Sequence, residues 1–174
     1  SPSVPPATQP PAPPVSTLDE VTPISAQLSY SYMAARYPAT NAFDGDLSSL
    51  VLSWSALRQT QWLSVQVPAG TRIGYIAVYN RDDDDQYRAW LSPFEVWLGD
   101  SPGETGIQQR CGSHMEQIAP VEMGMGPFTI FCHGRNDLPY VTLILRPGRV
   151  RYLAIGELKV YVASEPPPPA LPPP

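Results

Sequence analysis

Short runs of β-branched and aromatic residues, separated by turn residues, occupy the middle of the chain. Several of them alternate with period two, so that Leu63, Val65 and Val67 share one face of a strand. The runs are Trp62–Val67, Ile73–Asn80, Phe94–Leu98, Phe128–Phe131, Val141–Leu145 and Tyr152–Val162. We find no amphipathic helical pattern of useful length and no internal repeat. Many short strands without intervening helices predict an all-β, antiparallel sandwich or jelly roll.

The last of these runs contains a break in phase. Its apolar set of Leu158, Val160 and Val162 is out of phase with Ile155. One extra residue in a strand produces such a shift, so a β-bulge is predicted at Gly156–Glu157.

Proline divides the chain into three parts. Of 23 prolines in 174 residues, seven lie in residues 1–14 and seven in residues 166–174. Proline has no N–H and a fixed φ, so these runs favour extended polyproline II. The sequence therefore predicts one β-sandwich domain over residues 17–164, between proline-rich segments 1–16 and 165–174. A domain of about 150 residues holds one substantial core.

The proline-rich segments have three interpretations. They are stiff linkers, or ligands for an aromatic groove on another protein. Third, their mixture of Pro with Ser, Ala and Val resembles the hydroxyproline-rich glycoproteins of plant and green-algal cell walls. That resemblance implies hydroxylation and short O-linked sugars. The candidate positions are Pro5, Pro6, Pro10, Pro11, Pro13, Pro14, Pro166, Pro167, Pro168, Pro169, Pro172, Pro173 and Pro174.

Charge and short motifs narrow the functional classes. The net charge of −5 argues against a nucleic-acid-binding surface. No apolar stretch is long enough to predict a membrane span. The chain has neither an initiator Met nor a signal-peptide core, so we expect a processed product or an excerpt of a longer chain. It has two histidines and no nucleophile elbow, P-loop or His-Glu-x-x-His motif. A non-catalytic, extracellular protein is predicted, without Asn-linked glycosylation sites.

The two cysteines allow two chemistries. An even pair in a secreted chain favours a disulfide between Cys111 and Cys132, which would stabilise the fold by roughly 3 kcal/mol. The alternative is a zinc site that adds His114 and His133. Adjacent Cys132 and His133 cannot easily face one tetrahedral ion, so the disulfide is favoured.

The order of motifs resembles the galactose-binding-like jelly roll of discoidin domains and of the fucose-binding F-type lectins. The resemblance covers about residues 24 to 162. An early segment, Ile24–Arg36, precedes Asn41-Ala-Phe-Asp44-Gly45-Asp46, which is similar to the family's calcium loop. Ser53-Trp54-Ser55 and the Gln61–Val67 strand follow. The ending Gly156-Glu157-Leu158-x-Val160-x-Val162 is similar to the family's last strand.

The resemblance implies a structural calcium ion. Asp44 and Glu157 would supply carboxylates, Asn41, Asp46 and Gly156 carbonyls, and Ser53 or Ser55 a hydroxyl. Ca²⁺ prefers six to eight such oxygens. The alternative is a plain turn in which Asp44 caps its own backbone.

The resemblance also implies a sugar site. Arg81-Asp82-Asp83-Asp84-Asp85-Gln86-Tyr87-Arg88 matches the family's Arg-x-Asp-x-x-x-x-Arg motif at Arg81, Asp83 and Arg88. Two guanidiniums can fork onto vicinal hydroxyls while a carboxylate holds them. Trp54 stands where the family has a His, and Trp90, which we expect to be the most exposed tryptophan, completes the candidate set. The alternative is a solvated loop with surface ion pairs.

We therefore expect a module with a structural and adhesive role in an extracellular matrix, a cell wall or a surface fibre. It would contact glycans or the glycosylated proline-rich chains of its neighbours. One alternative is an F-type-lectin-like protein that binds sugar through Arg81 and Arg88. A second is a carbohydrate-binding module appended to an enzyme outside this sequence.

Overall fold

The structure is a computed structural model that describes residues 19–54, 59–114, 124–148 and 150–163. Of residues 112–114 and 133 it describes the backbone alone. The two proline-rich segments and Ser55 lie outside the described residues. The candidate hydroxylation sites and the predicted role of Ser55 as a calcium ligand therefore lie outside what the structure describes.

Two five-stranded antiparallel sheets form a β-sandwich, which confirms the predicted fold class. The strands are β1 (Glu20–Val21), β2 (Ser25–Leu28), β3 (Val51–Leu52), β4 (Gln61–Gln66), β5 (Ile73–Asn80), β6 (Phe94–Gly99), β7 (Ile107–His114), β8 (Phe128–Arg135), β9 (Tyr140–Leu145) and β10 (Ala154–Val162). One sheet has the order β1-β10-β5-β8, with β3 also paired to β10, and the other has the order β2-β4-β9-β6-β7. Short 3-10 helices span Ala39–Phe43, Asp85–Leu91 and Glu104–Gly106.

Alternating apolar side chains of both sheets meet in one core. In β4, Leu63 and Val65 are fully buried, as the period-two pattern predicts. Ser64 on the opposite face is buried too. Its hydroxyl is hydrogen-bonded to the Thr142 hydroxyl at 2.7 Å and accepts the Gly103 N–H at 2.9 Å. The loop before β7 thus covers part of the second face of this sheet.

The predicted bulge in β10 is confirmed. The register with β5 moves from Ile155 opposite Asn80 to Glu157 opposite Tyr79, which leaves Gly156 extra. A Cβ at Gly156 would lie 3.1 Å from the carbonyl oxygens of Asn80 and Leu47. Glycine is favoured here because both backbones approach it so closely.

A disulfide between Cys111 and Cys132 joins β7 of one sheet to β8 of the other. The prediction of this pair is confirmed, and neither thiol remains to bind zinc. The sequence did not reveal β7 itself, because Ile107–His114 has no alternating apolar pattern. As a strand at the sheet edge, β7 takes its place from pairing with β6 and from the disulfide.

Candidate functional site

A cleft lined by aromatic rings lies beside the start of β10, and we call it the aromatic cleft. Its volume is about 220 Å³, and its lining residues are Tyr32, Leu52, Arg81, Tyr87, Trp90 and Tyr152. Strand pairing brings them together, because Leu52 lies opposite Ala154 and Asn80 opposite Ile155. Arg81 directly follows Asn80, and Tyr152 lies two residues before the start of β10.

The four rings of the cleft form a continuous row. The Tyr87 and Trp90 centroids are 4.3 Å apart, those of Trp90 and Tyr152 5.1 Å, and those of Tyr152 and Tyr32 6.3 Å. Such a row presents an extended apolar floor. The sequence did not indicate Tyr32 or Tyr152, which are far apart in the chain and lie in no recognisable motif.

The 3-10 helix Asp85–Leu91 places Tyr87 and Trp90 in this row. The Asp84 side chain starts the helix by accepting the Gln86 N–H at 2.9 Å. Residues three apart are eclipsed in a 3-10 helix, so Tyr87 and Trp90 share one side and Arg88 points away from it. Arg88 instead donates from Nε to the Arg81 carbonyl at 3.3 Å, and its nearest carboxylate is Asp82 at 3.8 Å.

Arg81 is held rigidly at the base of the cleft. Its Nε and Nη2 each donate to one oxygen of Asp83 at 2.7 Å, and the residue is only 7% exposed. The hydrogen bond from Arg81 holds the pKa of Asp83 below its usual value. The guanidinium carbon lies 5.3 Å from the Tyr87 centroid and 5.8 Å from that of Trp90. This geometry adds cation–π attraction to the ion pair.

The buried side chain of Arg151 supports the cleft from behind. Its Nη1 donates to the Trp90 carbonyl at 3.0 Å and its Nη2 to the Arg146 carbonyl at 3.3 Å. The Arg151 carbonyl accepts from Gln61 at 2.6 Å. Arg151 is thus a positioning residue, and no sequence signal distinguishes it from the other arginines.

The predicted sugar-site residues are only partly brought together. Arg81 and Trp90 line the cleft, and Asp83 fixes Arg81. Arg88 and Trp54 are not among the lining residues. The expectation that Trp90 is the most exposed tryptophan is wrong, since Trp54 is 51% exposed and Trp90 is half-buried. Trp54 stands clear of the core because β3 ends before it.

A second candidate site, which we call the acidic loop, comprises residues 41–49 together with Glu157. Asp44 and Glu157, which are far apart in the sequence, bring two carboxyl groups together in this loop. Gly45 has a φ of 80°, which favours glycine, and its N–H donates to Glu157 Oε1 at 2.9 Å. Asn41 closes the loop by donating to the Leu50 carbonyl at 2.9 Å.

The carboxylates of the acidic loop have opposite pKa shifts. Burial, then the hydrogen bond with Asp44, raises the pKa of Glu157 to about 7. For Asp44, partial burial acts upward, but hydrogen bonds from Glu157, Ser49 and the backbone outweigh it and lower the pKa. Two carboxyl groups so close need a shared proton or a cation between them.

The donors of the acidic loop fit a hard cation. Ser49 Oγ lies 2.7 Å from Asp44 Oδ2 and 2.9 Å from the Asp46 carbonyl, so carboxylate, hydroxyl and carbonyl oxygens gather here. Ser53, in contrast, donates to Gln61 and accepts the Leu153 N–H in the interior. Ser49 is thus a hydroxyl in this loop that the sequence did not indicate. Over the part of the chain described, no three His, Cys, Asp or Glu side chains form a metal cluster. Carbonyls and hydroxyls would have to complete the coordination.

Comparison with known proteins finds the same fold in solved structures, although nothing matches at the level of sequence families. No protein-family model matches the sequence, and no curated protein matches it. A similar solved structure is the lectin domain of lectinolysin in complex with Lewis B antigen, with a TM-score of 0.63, 20% identity, and coverage of 80% of this chain and 93% of that one.

Two other structures share the fold. A fucolectin from the serum of Morone saxatilis (striped bass) has a TM-score of 0.61 and 23% identity over 80% of this chain and 45% of its own. The family 32 carbohydrate-binding module of Clostridium perfringens NanJ, in complex with galactose, has a TM-score of 0.61 and 17% identity over 79% of this chain and 92% of its own. The domain thus shares its jelly-roll fold with solved domains of lectins and carbohydrate-binding modules.

Proposed function

We propose that this chain is a non-catalytic, secreted module of an extracellular matrix, cell wall or surface fibre, and that it contacts glycans through the aromatic cleft. The observation that carries the proposal is the row of four rings above a fixed guanidinium. Sugar rings present C–H faces that pack on aromatic rings and hydroxyls that accept from arginine. A largely apolar pocket with a few fixed polar groups is typical of ligand sites.

The disulfide supports an extracellular location. The Cys111–Cys132 bond is typical of oxidising compartments. None of the helices in the described ranges is long and apolar enough to cross a bilayer.

In a structural and adhesive role, the proline-rich segments would contact the surrounding matrix. Intact mass and peptide mapping of the native chain test their modification. Added hydroxyl and pentose or hexose masses on the candidate prolines support it, and unmodified segments contradict it.

Glycan binding is tested by titrating the full chain with a panel of fucosylated, galactosylated and arabinosylated oligosaccharides. We expect Tyr87→Ala to weaken binding at least fivefold, because it removes one ring of the row. Tyr75→Ala is the matched control, since Tyr75 packs on Phe131 in another part of the sandwich. Absence of binding to the whole panel, or equal losses in both variants, would contradict the proposal.

A lectin that reads sugar with both Arg81 and Arg88 is the second candidate. Its motif is present, but Arg88 is not among the residues that line the cleft. Arg88→Ala separates the two candidates. The aromatic cleft predicts a loss of less than about threefold, because the Arg88 guanidinium contacts the Arg81 carbonyl and Asp82 and does not line the cleft. The arginine-pair lectin predicts abolished binding.

We also propose that the acidic loop holds a structural Ca²⁺. Asp44, Glu157, Ser49 and the Asp46 carbonyl would hold the ion, which would join the first part of the fold to its last strand. The close approach of two carboxyl groups supports this assignment. Thermal unfolding in calcium and in chelator tests it.

A further inference from the structure

The row of rings in the aromatic cleft has the dimensions of an elongated ligand. Its four centroids follow one another at 4.3, 5.1 and 6.3 Å. The row therefore extends over roughly one to two turns of a polyproline II helix, which rises about 9 Å per turn. Tyr32 at the end of the row is 38% exposed, so a ligand can extend beyond the cleft.

The lining of the cleft is chemically complementary to proline-rich chain. It contains hydrogen-bond donors, in the arginine and the tyrosine hydroxyls, but no carboxylate and no side-chain amide. A run of prolines offers carbonyl acceptors and no N–H donors, and its rings pack well on aromatic faces. Residues 1–14 and 166–174 of this chain carry no charged side chain, so docking them would bury no charge against the rings.

The topology places the cleft and the two termini of the described chain at opposite ends of the domain. The cleft flanks Ala154 at the start of β10. The described chain ends just after Val162, at the other end of this nine-residue strand. It begins at the same end, since the Val162 N–H donates to the Asp19 carbonyl at 2.9 Å. At roughly 3.3 Å per residue, about 26 Å separates the two ends of β10.

We propose that the aromatic cleft binds a proline-rich segment of a second copy of this chain. This inference rests on the proposed function, since it names the partner that the same cleft contacts. The described chain ends about 26 Å from its own cleft, so the segment that follows β10 can meet the cleft of a neighbouring molecule. The contact joins two different surfaces, so it is heterologous and repeats from copy to copy into a closed ring or an open filament.

The experiment measures peptide binding and self-association on the full chain. The probe is an unmodified synthetic peptide with the sequence of residues 164–174, and the control peptide replaces its prolines with serine and glycine. Binding is followed by tryptophan fluorescence and calorimetry, because Trp90 lies in the row and neither peptide contains an aromatic residue. Sedimentation equilibrium gives the oligomeric state, with and without excess peptide. The variants are Tyr32→Ala and Tyr87→Ala, and Tyr75→Ala is the control.

The expected result is that the proline peptide binds, that the control peptide does not, and that excess proline peptide dissociates the oligomers. Tyr32→Ala and Tyr87→Ala each weaken peptide binding about fivefold to tenfold, because each removes one ring contact, and Tyr75→Ala leaves binding unchanged.

Three outcomes overturn the inference. They are no peptide binding at millimolar concentration, equal losses in the cleft variants and the control, and a chain that stays monomeric at every concentration. If the glycan panel binds while the peptide does not, the partner is wrong and the proposed function stands. If the peptide binds while no glycan does, the cleft is a protein-docking surface and the proposed glycan contact is wrong.

Discussion

The aromatic cleft and the acidic loop both flank the first residues of β10, yet their charges are compensated differently. In the cleft, Arg81 and Asp83 form a two-bond ion pair that is complete without any ligand. In the acidic loop, Asp44 and Glu157 bring two carboxyl groups together, and the pKa of Glu157 rises to about 7. The cleft is therefore a preformed surface, whereas the loop depends on protons or a cation.

Removing the disulfide should have the largest effect on the unfolding free energy. It should leave the difference between the aromatic cleft and the acidic loop unchanged. The double variant Cys111→Ala/Cys132→Ala should lose about 3 kcal/mol of unfolding free energy, because the link closes a loop between the two sheets. Denaturant unfolding measures it. Below the lowered melting temperature, the calcium response and the cleft should both persist. Loss of the calcium response alone, or of the cleft alone, would show that the disulfide stabilises that particular site.

Calcium should have the next largest effect, because it stabilises the acidic loop and leaves the aromatic cleft unchanged. At a calcium concentration 100 times the dissociation constant, ligand linkage adds about 2.7 kcal/mol, which raises the melting temperature by roughly 5 to 10 °C relative to chelator. Glu157→Gln should abolish this rise while keeping an acceptor for the Gly45 N–H. A rise that persists in Glu157→Gln would place the ion elsewhere.

Arg81→Ala tests whether the charge pair of the cleft is structural. We expect a loss of about 1–2 kcal/mol, because the guanidinium also packs on two rings. Arg135 is a natural control. It pairs with Asp137 through the same two-residue spacing and two hydrogen bonds, but its side chain is 43% exposed against 9% for Arg81. Arg135→Ala should be silent in thermal unfolding, and equal effects of the two variants would contradict the comparison.

The last expected effect is a pH dependence confined to the acidic loop. The folded-state pKa of Glu157, about 7, lies above its usual 4.5. Its contribution is therefore complete below about pH 4.5 and is lost as the pH rises through 7. The pKa of Asp44 is lowered, so its contribution stays constant from pH 5 to 8. In chelator, the melting temperature should fall over this range.

Glu157→Gln is the control for that trend, because it mimics the protonated acid and should flatten the profile. Calcium should reverse the trend in the unmutated chain, since the ion requires both carboxylates ionised. An unchanged slope in Glu157→Gln would assign the dependence to other groups.

The sequence predicted the fold better than it predicted the site. Period two located the strands of the core, and a phase break located the bulge at Gly156, because both features follow from the alternation of side chains across a sheet. The edge strand β7 was not predicted, because its position depends on pairing with β6 and not on burial of an apolar face.

The aromatic cleft could be predicted only in part. Arg81 and Asp83 are two residues apart, so their pairing was within reach of a local motif. Tyr32 and Tyr152 meet through contacts between distant segments, which no spacing reveals. The same motif suggested Arg88, but the 3-10 helix turns successive residues by about a third of a turn and directs Tyr87 to the cleft instead.

The two ends of the described chain lie side by side, and this arrangement has a mechanical consequence. β1 and β10 are antiparallel, and Asp19 lies beside Val162. A pull that separates the two proline-rich segments would break the hydrogen bonds of β1 one after another, as a zipper opens, instead of shearing them all at once. Because β1 is two residues long, tension would release it at low force and lengthen the connection, while the cross-linked sandwich stays folded. In a filament under load, this strand would act as an extensible element.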